Sequence, residues 1–229
     1  MTVRVPSLLL ATLLATACAG PQTVTPPSPS PAATTPTQTA AARRDTTAGP
    51  ITWTIDTSSK ATIRVRETLV RVQAPSDAVL TVSGATGTFT LNADGTFASG
   101  SKISVDMNTI TSDERDRDST IKRSPLEVSR FPRAELAPTR ASGLTLPLAA
   151  SGDLTFTLTG DMTIHGVTKT VTFDVKATRT GTRLVATATA NPAWTFGDFG
   201  MRVPTSFNVV SLVDEIRLEF SLVANETVR

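Results

Sequence analysis

The stretch Asp214-Glu-Ile-Arg-Leu-Glu-Phe-Ser-Leu-Val223 decides the fold class. Ile216, Leu218, Phe220 and Leu222 fall on one parity, and Glu215, Arg217, Glu219 and Ser221 on the other. Successive side chains of an extended chain point to opposite faces, so this is a strand with one dry and one wet side. The same period of two, rich in Val, Ile, Thr and Phe, recurs upstream. It covers Ile51–Asp56, Lys60–Glu67, Ala78–Ser83, Gly87–Asn92, Ser101–Asn108, Ala134–Arg140, Gly152–Thr159, Asp161–His165, Thr168–Thr178 and Leu184–Asn191. Asn92-Ala93-Asp94-Gly95 reads as a hairpin turn. Only the stretch from about Thr109 to Val128 interrupts the pattern, and there Ser112 or Asp113 is placed to cap a short helix. The expectation is an all-β, antiparallel domain over residues 51–229 with one short helical insertion. Such strands either close into a barrel or pair as two sheets, since a long open sheet leaves unpaired edges. Periodicity alone leaves both open.

Ile63, Val65, Phe89, Ile103, Val105, Phe156, Phe173, Val175, Leu218 and Phe220 share the dry parity. They are candidates to line a cavity for a long apolar ligand, and equally to pack as a solid core. Phe196 and Phe199 join them from the segment Trp194-Thr-Phe196-Gly-Asp-Phe199-Gly200-Met201. Aromatic and sulfur side chains between glycines make either a lip over a cavity or a plug.

A chain of 229 residues accommodates one sizeable domain plus appendages. Its 22 Lys+Arg against 20 Asp+Glu leave a formal charge of +2. No run of Lys or Arg forms a stripe for a nucleic-acid backbone, so no nucleic-acid partner is expected. One Cys, one His and no Tyr argue against disulfide frameworks, Cys/His zinc sites and relays needing a second histidine. No catalytic residue, metal or cofactor is therefore expected. His165, between Ile164 and Gly166, reads as a turn residue bonded to backbone. Asp113–Asp118 reads as a solvated turn with local ion pairs, lacking the glycine a calcium loop wants.

Residues 1–17 carry Arg4, an apolar run with Leu8-Leu9-Leu10 and Leu13-Leu14, and the small residues Ala15-Thr16-Ala17, the plan of a signal peptide. The run is shorter than the roughly 20 residues a bilayer-spanning helix needs. Cys18-Ala19-Gly20 resembles the bacterial lipobox, with Ala15 where Leu is favoured, so lipidation at Cys18 is expected. The other reading is ordinary cleavage after Ala15-Thr16-Ala17. Residues 18–50, with Pro21, Pro26, Pro27, Pro29, Pro31, Pro36 and Pro50 among Thr, Ser and Ala, lack apolar side chains to bury. They read as a disordered Pro/Thr-rich tether, extended at about 3.1 Å per residue where polyproline II persists.

The ordered set Trp53-Thr-Ile-Asp56, Val65-Arg-Glu67, Arg117-Asp118, Phe131-Pro132, Gly152-Asp-Leu154-Thr, Thr163-Ile-His165-Gly166-Val-Thr-Lys169 and Phe199-Gly200-Met201 resembles the YceI-like lipid- and polyisoprenoid-binding family over about Ile51 to Asn225. The resemblance implies a lipocalin-like antiparallel β-barrel that holds an isoprenoid or related lipid without catalysis. Ser59-Lys60 stand where many members carry His-Ser, and Glu67 where a His is common, so recognition at the barrel mouth is expected to differ. The partners expected are an apolar lipid or isoprenoid ligand and the membrane through a lipid anchor, with a homodimer left open. The location expected is extracytoplasmic, as a membrane-anchored periplasmic or cell-surface lipoprotein. A reading from another class is a non-enzymatic structural or interaction module of the envelope with a packed barrel. Interior volume separates the two.

Overall fold

The computed structural model describes residues 46–47, 49–71, 74–205 and 209–227. The signal segment, Cys18 and the tether up to residue 45 lie outside the described residues. The strands are β1 (Thr46–Thr47), β2 (Ile51–Ile55), β3 (Lys60–Leu69), β4 (Ser76–Ser83), β5 (Thr86–Leu91), β6 (Lys102–Asp106), β7 (Arg133–Ser142), β8 (Leu148–Ala149), β9 (Ser151–Ile164), β10 (Val167–Thr180), β11 (Arg183–Ala190) and β12 (Val209–Glu226). The helical insertion is α1 (Arg115–Arg123), preceded by a 3-10 turn at Met107–Thr109. A second 3-10 turn, Gly197–Phe199, lies between β11 and β12.

Neighbouring strands pair antiparallel in the order β11-β10-β9-β7-β6-β5-β2-β12-β3-β4, and a further ladder joins β11 to β12. That ladder, Arg183↔Asn225 through Thr189↔Glu219, closes the ring, so the fold is an antiparallel barrel. Closure removes the edges that an open sheet of this width would expose. β12 makes it possible through its length. One of its edges carries β11, and the other carries β3 along Val209–Ser221 and then β2 at Ala224–Glu226.

Where β2 and β3 part, Ser59 replaces the missing ladder. Its Oγ donates to the Val223 carbonyl (3.1 Å) and accepts from the Val223 N–H (2.9 Å), and the residue is buried. The Val223 carbonyl also accepts the Asp56 N–H (2.8 Å), and the hydroxyl supplies the acceptor for the Val223 N–H.

The β2 end of the barrel is closed by Arg179. Its guanidinium donates to Glu226 Oε2 (2.6 Å) and to the carbonyls of Gly181 (3.0 Å) and Ala149 (3.2 Å), and lies 5.7 Å from the ring centroid of Trp53. β1 pairs with β8 at this same end, so among the described residues strand structure begins at Thr46, ahead of Ile51. At the opposite end, β3 and β4 run on beside the start of β12 with two register shifts, and among the described residues β4 meets the β6 side through one backbone bridge, Thr81↔Thr111. This is the mouth.

Two local expectations change. Gly160, read as a break between two strands, lies inside the continuous β9. A Cβ there would come within 2.8 Å of the Ala137 carbonyl oxygen, so glycine marks a close approach of β7 rather than a turn. Neither Ser112 nor Asp113 is the cap of α1, whose N-cap is Glu114 with no side-chain cap bond. Ser112 Oγ instead accepts the Glu114 N–H (3.2 Å) and donates to Asp118 Oδ1 (2.7 Å). The Asn92–Thr96 turn forms as expected, with Asn92 N–H donating to the Thr96 carbonyl (2.8 Å).

Candidate functional site: an apolar chamber and its mouth

Inward parity brings side chains from β3, β4, β6, β7, β9 and β12 to a common interior. Ile63 and Val65 of β3, Leu80 of β4, Val105 of β6, Met162 of β9 and Leu218 of β12 face one space, joined by Ile121 of α1 and by Trp194, Phe196, Phe199 and Met201. The chamber measures about 90 Å³ and every side chain lining it is apolar. A second, larger cavity of about 350 Å³ lies toward the mouth and is walled by Glu67, Leu69, Arg71, Glu114, Arg117, Thr120 and Leu212 among others. Val65, Leu80, Ile121 and Phe196 line both, so they form the partition between them.

Of the residues expected from alternation, Ile63, Val65, Val105, Phe196, Phe199 and Leu218 line the chamber. Phe89, Ile103, Phe156, Phe173, Val175 and Phe220 pack in the filled part of the barrel. Phe89 stacks on Trp53 at 5.4 Å, and Phe173 meets Phe220 at 5.7 Å and Trp194 at 5.9 Å, so these rings build the solid core beside the chamber. Period-two reasoning missed Met107, Ile110, Ile121 and Leu126, which also line the chamber from outside any strand.

The aromatic segment is wall as well as cover. Trp194 bridges to the free edge of β12, its N–H donating to the Ile216 carbonyl (3.0 Å) while Ile216 N–H donates back (2.6 Å). Two carboxylates hold the next turn of chain, Thr195 to Asp198. Asp214 Oδ1 accepts the Phe196 N–H (2.8 Å). Asp198 Oδ2 accepts from Thr195 N–H (2.8 Å) and Oγ1 (2.9 Å), and its Oδ1 accepts from Lys169 Nζ (2.6 Å). The Lys169 ammonium first, then the Thr195 donors, hold the Asp198 carboxyl down from its ordinary 3.8 to about 2. A lowered carboxyl contributes stability that is fully present above its ordinary value and is lost as pH falls through about 2. The melting-temperature gap between the wild-type chain and Asp198→Asn is therefore expected to persist at about pH 5 and to close as the pH approaches 2. A gap that stays constant over that range would show that this clasp contributes nothing.

His165 joins the same region. Its Nδ1 lies 3.3 Å from the Phe199 carbonyl and its ring meets Phe131 edge-on at 4.6 Å, which fits the expected structural role in the β9–β10 turn. Lys169 is committed to Asp198, and Arg202 is exposed.

The mouth carries an ion pair between two largely buried groups. Glu67 is 4% exposed and accepts from Arg117 Nη2 at 2.8 Å. Arg117, at 16% exposure, also pairs with Asp113. The cluster read from sequence as a solvated turn is thus partly a buried anchor, because Glu67 of β3 supplies a partner that lies fifty residues away. α1 has no buried residue of its own, so this pair and the half-buried Ile121 hold it across the mouth.

A family profile described as "YceI-like domain" matches residues 53–224. The chain belongs to the YceI-like family. Among curated relatives, a UPF0312 protein of Pseudomonas putida strain F1 is 39% identical over 104 residues, which cover 42% of this chain and 49% of that protein. One of P. putida strain W619 is 40% identical over 84 residues, covering 35% and 39%. The chain spans about half the length, or less, of the curated relatives it matches.

Among solved structures, the YceI-like chain is similar to a polyisoprenoid binding domain from Saccharophagus degradans implicated in plant cell wall breakdown. That likeness has a TM-score of 0.57 at 12% identity and covers 76% of this chain and 98% of that one. It is also similar to Burkholderia cenocepacia BcnA, with a TM-score of 0.56 at 15% identity and coverage of 75% and 99%. The Campylobacter jejuni YCEI protein gives 0.50 at 15%, with 67% and 87% covered. At these identities the likeness establishes the fold, and it is the barrel just described.

Proposed function

We propose that this YceI-like protein binds an apolar lipid of isoprenoid type inside its barrel and acts by holding or carrying it, without catalysis. The observation that carries the reading is the wholly apolar chamber walled by β3, β4, β6, β7, β9 and β12 inside the barrel. Transfer of apolar surface from water into such a space contributes about 25 cal/mol per Å², so a tail is held without a strong polar contact. Ile63, Val65, Val105, Phe196, Phe199 and Leu218 are the proposed tail contacts from the barrel interior. The S. degradans domain, described as polyisoprenoid binding, supports the ligand class.

The proposal includes anchoring outside the cytoplasm through lipidated Cys18 and the Pro/Thr-rich tether. The signal-like residues 1–17 and the composition of residues 18–50 support it. The described chain enters the barrel at the Arg179 end, where β1 pairs with β8.

A packed envelope module is the second reading, and the small chamber favours it. An engineered apolar cavity of about 150 Å³ takes one benzene, and the chamber here is about 90 Å³. A long tail therefore needs the chamber and the mouth cavity together.

A chamber-filling substitution tests the proposal. Ala134 of β7 is buried and lines the chamber. Ala134→Leu is expected to weaken farnesol binding by at least about ten-fold, while the barrel melts within roughly 8 °C of wild type. Unchanged affinity in a folded variant would remove the chamber from the binding site.

A further inference from the structure

We infer that Phe196 is the specificity-determining residue of the barrel, the movable wall that sets how far an apolar tail penetrates. This rests on the lipid-binding reading. Phe196 is one of four residues that line both the inner chamber and the mouth cavity. The other three are fixed. Val65 pairs with Ala78 and Ile216 in its ladders, and Leu80 pairs with Ile63, so neither shifts without breaking the sheet. Ile121 sits on α1, which the Arg117–Glu67 pair ties to β3.

Phe196 stands on a segment outside both the ladders and the tied helix. It is followed by Gly197, around which there is open space beyond an ordinary contact with Thr195. Its N–H is held by the Asp214 carboxylate (2.8 Å) and its carbonyl by the Phe199 and Met201 N–H groups (3.2 and 3.0 Å), with the Thr195–Asp198 bonds next to it. The ring turns about its own side-chain torsions, and its short turn shifts with it without breaking a β-ladder, whereas a shift of Val65 or Leu80 with its backbone breaks one.

The consequence is a length filter. With the ring in place, a tail entering from the mouth occupies the larger cavity and passes only its tip beside the ring into the chamber. With the ring removed, the same tail runs on into the chamber past Val105 and Met162. Each additional buried methylene strengthens binding about four-fold, so the preference between prenols of different length reports the wall directly.

The experiment compares geraniol, farnesol, geranylgeraniol and solanesol in competition on the full chain carrying Cys18→Ser, read by native mass spectrometry. Wild type is expected to bind the short prenols and discriminate against the long ones. Phe196→Ala is expected to gain at least about ten-fold in affinity for geranylgeraniol relative to farnesol. Phe196→Leu, which keeps an apolar contact, is expected to shift the same preference by a smaller factor, and it carries the test if the alanine variant does not fold. Asp214→Ala, which frees the Phe196 N–H while leaving the ring intact, is expected to relax the length preference as well. If wild type binds prenols and neither Phe196 variant changes the length preference, the partition is refuted while the lipid-binding reading stands. If wild type binds no prenol at all, the lipid-binding reading itself falls, and the length filter with it.

Discussion

Arg117→Met is expected to destabilise the barrel by about 3–5 kcal/mol, because it strands the buried Glu67 carboxylate without a counter-charge. Glu67 is only 4% exposed and accepts Arg117 Nη2 at 2.8 Å, so without the guanidinium its carboxylate meets solvent only through the mouth cavity it walls. The size of the effect comes from desolvation rather than from attraction. A well-packed neutral pair can replace a buried ion pair at little cost, whereas removing one member leaves an uncompensated charge. The double variant Glu67→Gln with Arg117→Met is therefore expected to be more stable than Arg117→Met alone. Urea unfolding of the four chains of this cycle gives the coupling energy. A loss below about 1 kcal/mol for Arg117→Met would show that the pair behaves as a surface contact. Because α1 buries no side chain fully, release of Arg117 is also expected to loosen this helix over the mouth, visible as faster amide exchange across Arg115–Arg123.

Gly87→Ala is expected to be the most damaging single methyl in the barrel. Gly87 sits in β5 opposite Ile103 of β6, with φ at +132°. A Cβ there would lie 2.0 Å from the Lys102 carbonyl oxygen, a backbone atom that cannot turn aside. The strand pair has no slack to absorb it, since Ile103, Ser104 and Val105 of β6 are all buried. Substituting a strained glycine whose Cβ would strike a neighbouring strand belongs to the few mechanisms that exceed about 4 kcal/mol. The expected result is loss of soluble folded protein, or a melting temperature lower by well over 10 °C. A soluble variant with wild-type melting behaviour would mean that β5 and β6 are not paired in this register.

Much of this architecture was legible in the chain because alternation is a local signal. The run from Ile216 to Leu222 announced a half-wet strand, and β12 is that strand, extended at both ends. Closure was not legible. The β11–β12 ladder and the fork between β2 and β3 depend on which distant edges meet, and no spacing in the sequence encodes that. The resemblance to YceI-like proteins supplied the barrel that periodicity had left beside a sandwich.

The chamber was half legible for a related reason. Parity tells which face of a strand a side chain takes, but not its height along the barrel axis. Val105 and Val175 are alike in pattern, and only Val105 reaches the chamber. Ile110, Ile121 and Leu126 were invisible to a period-two reading because they arrive from loops and a helix. Glu67–Arg117 was hidden by distance, since fifty residues separate the partners and only the Arg117 side was read as a solvated turn. Gly160 misled because glycine marks both turns and close strand approaches, and only the partner strand tells them apart.

The most direct measurement takes the full-length protein from its own envelope fraction, under conditions mild enough to keep ligands bound, and records its mass natively and again after solvent extraction. The expected result is one apolar, isoprenoid-type molecule per chain, released by the solvent and taken up again from added prenol. A chain that is reproducibly bare, and that also takes up no prenol when offered it, would contradict the lipid-holding role of the barrel.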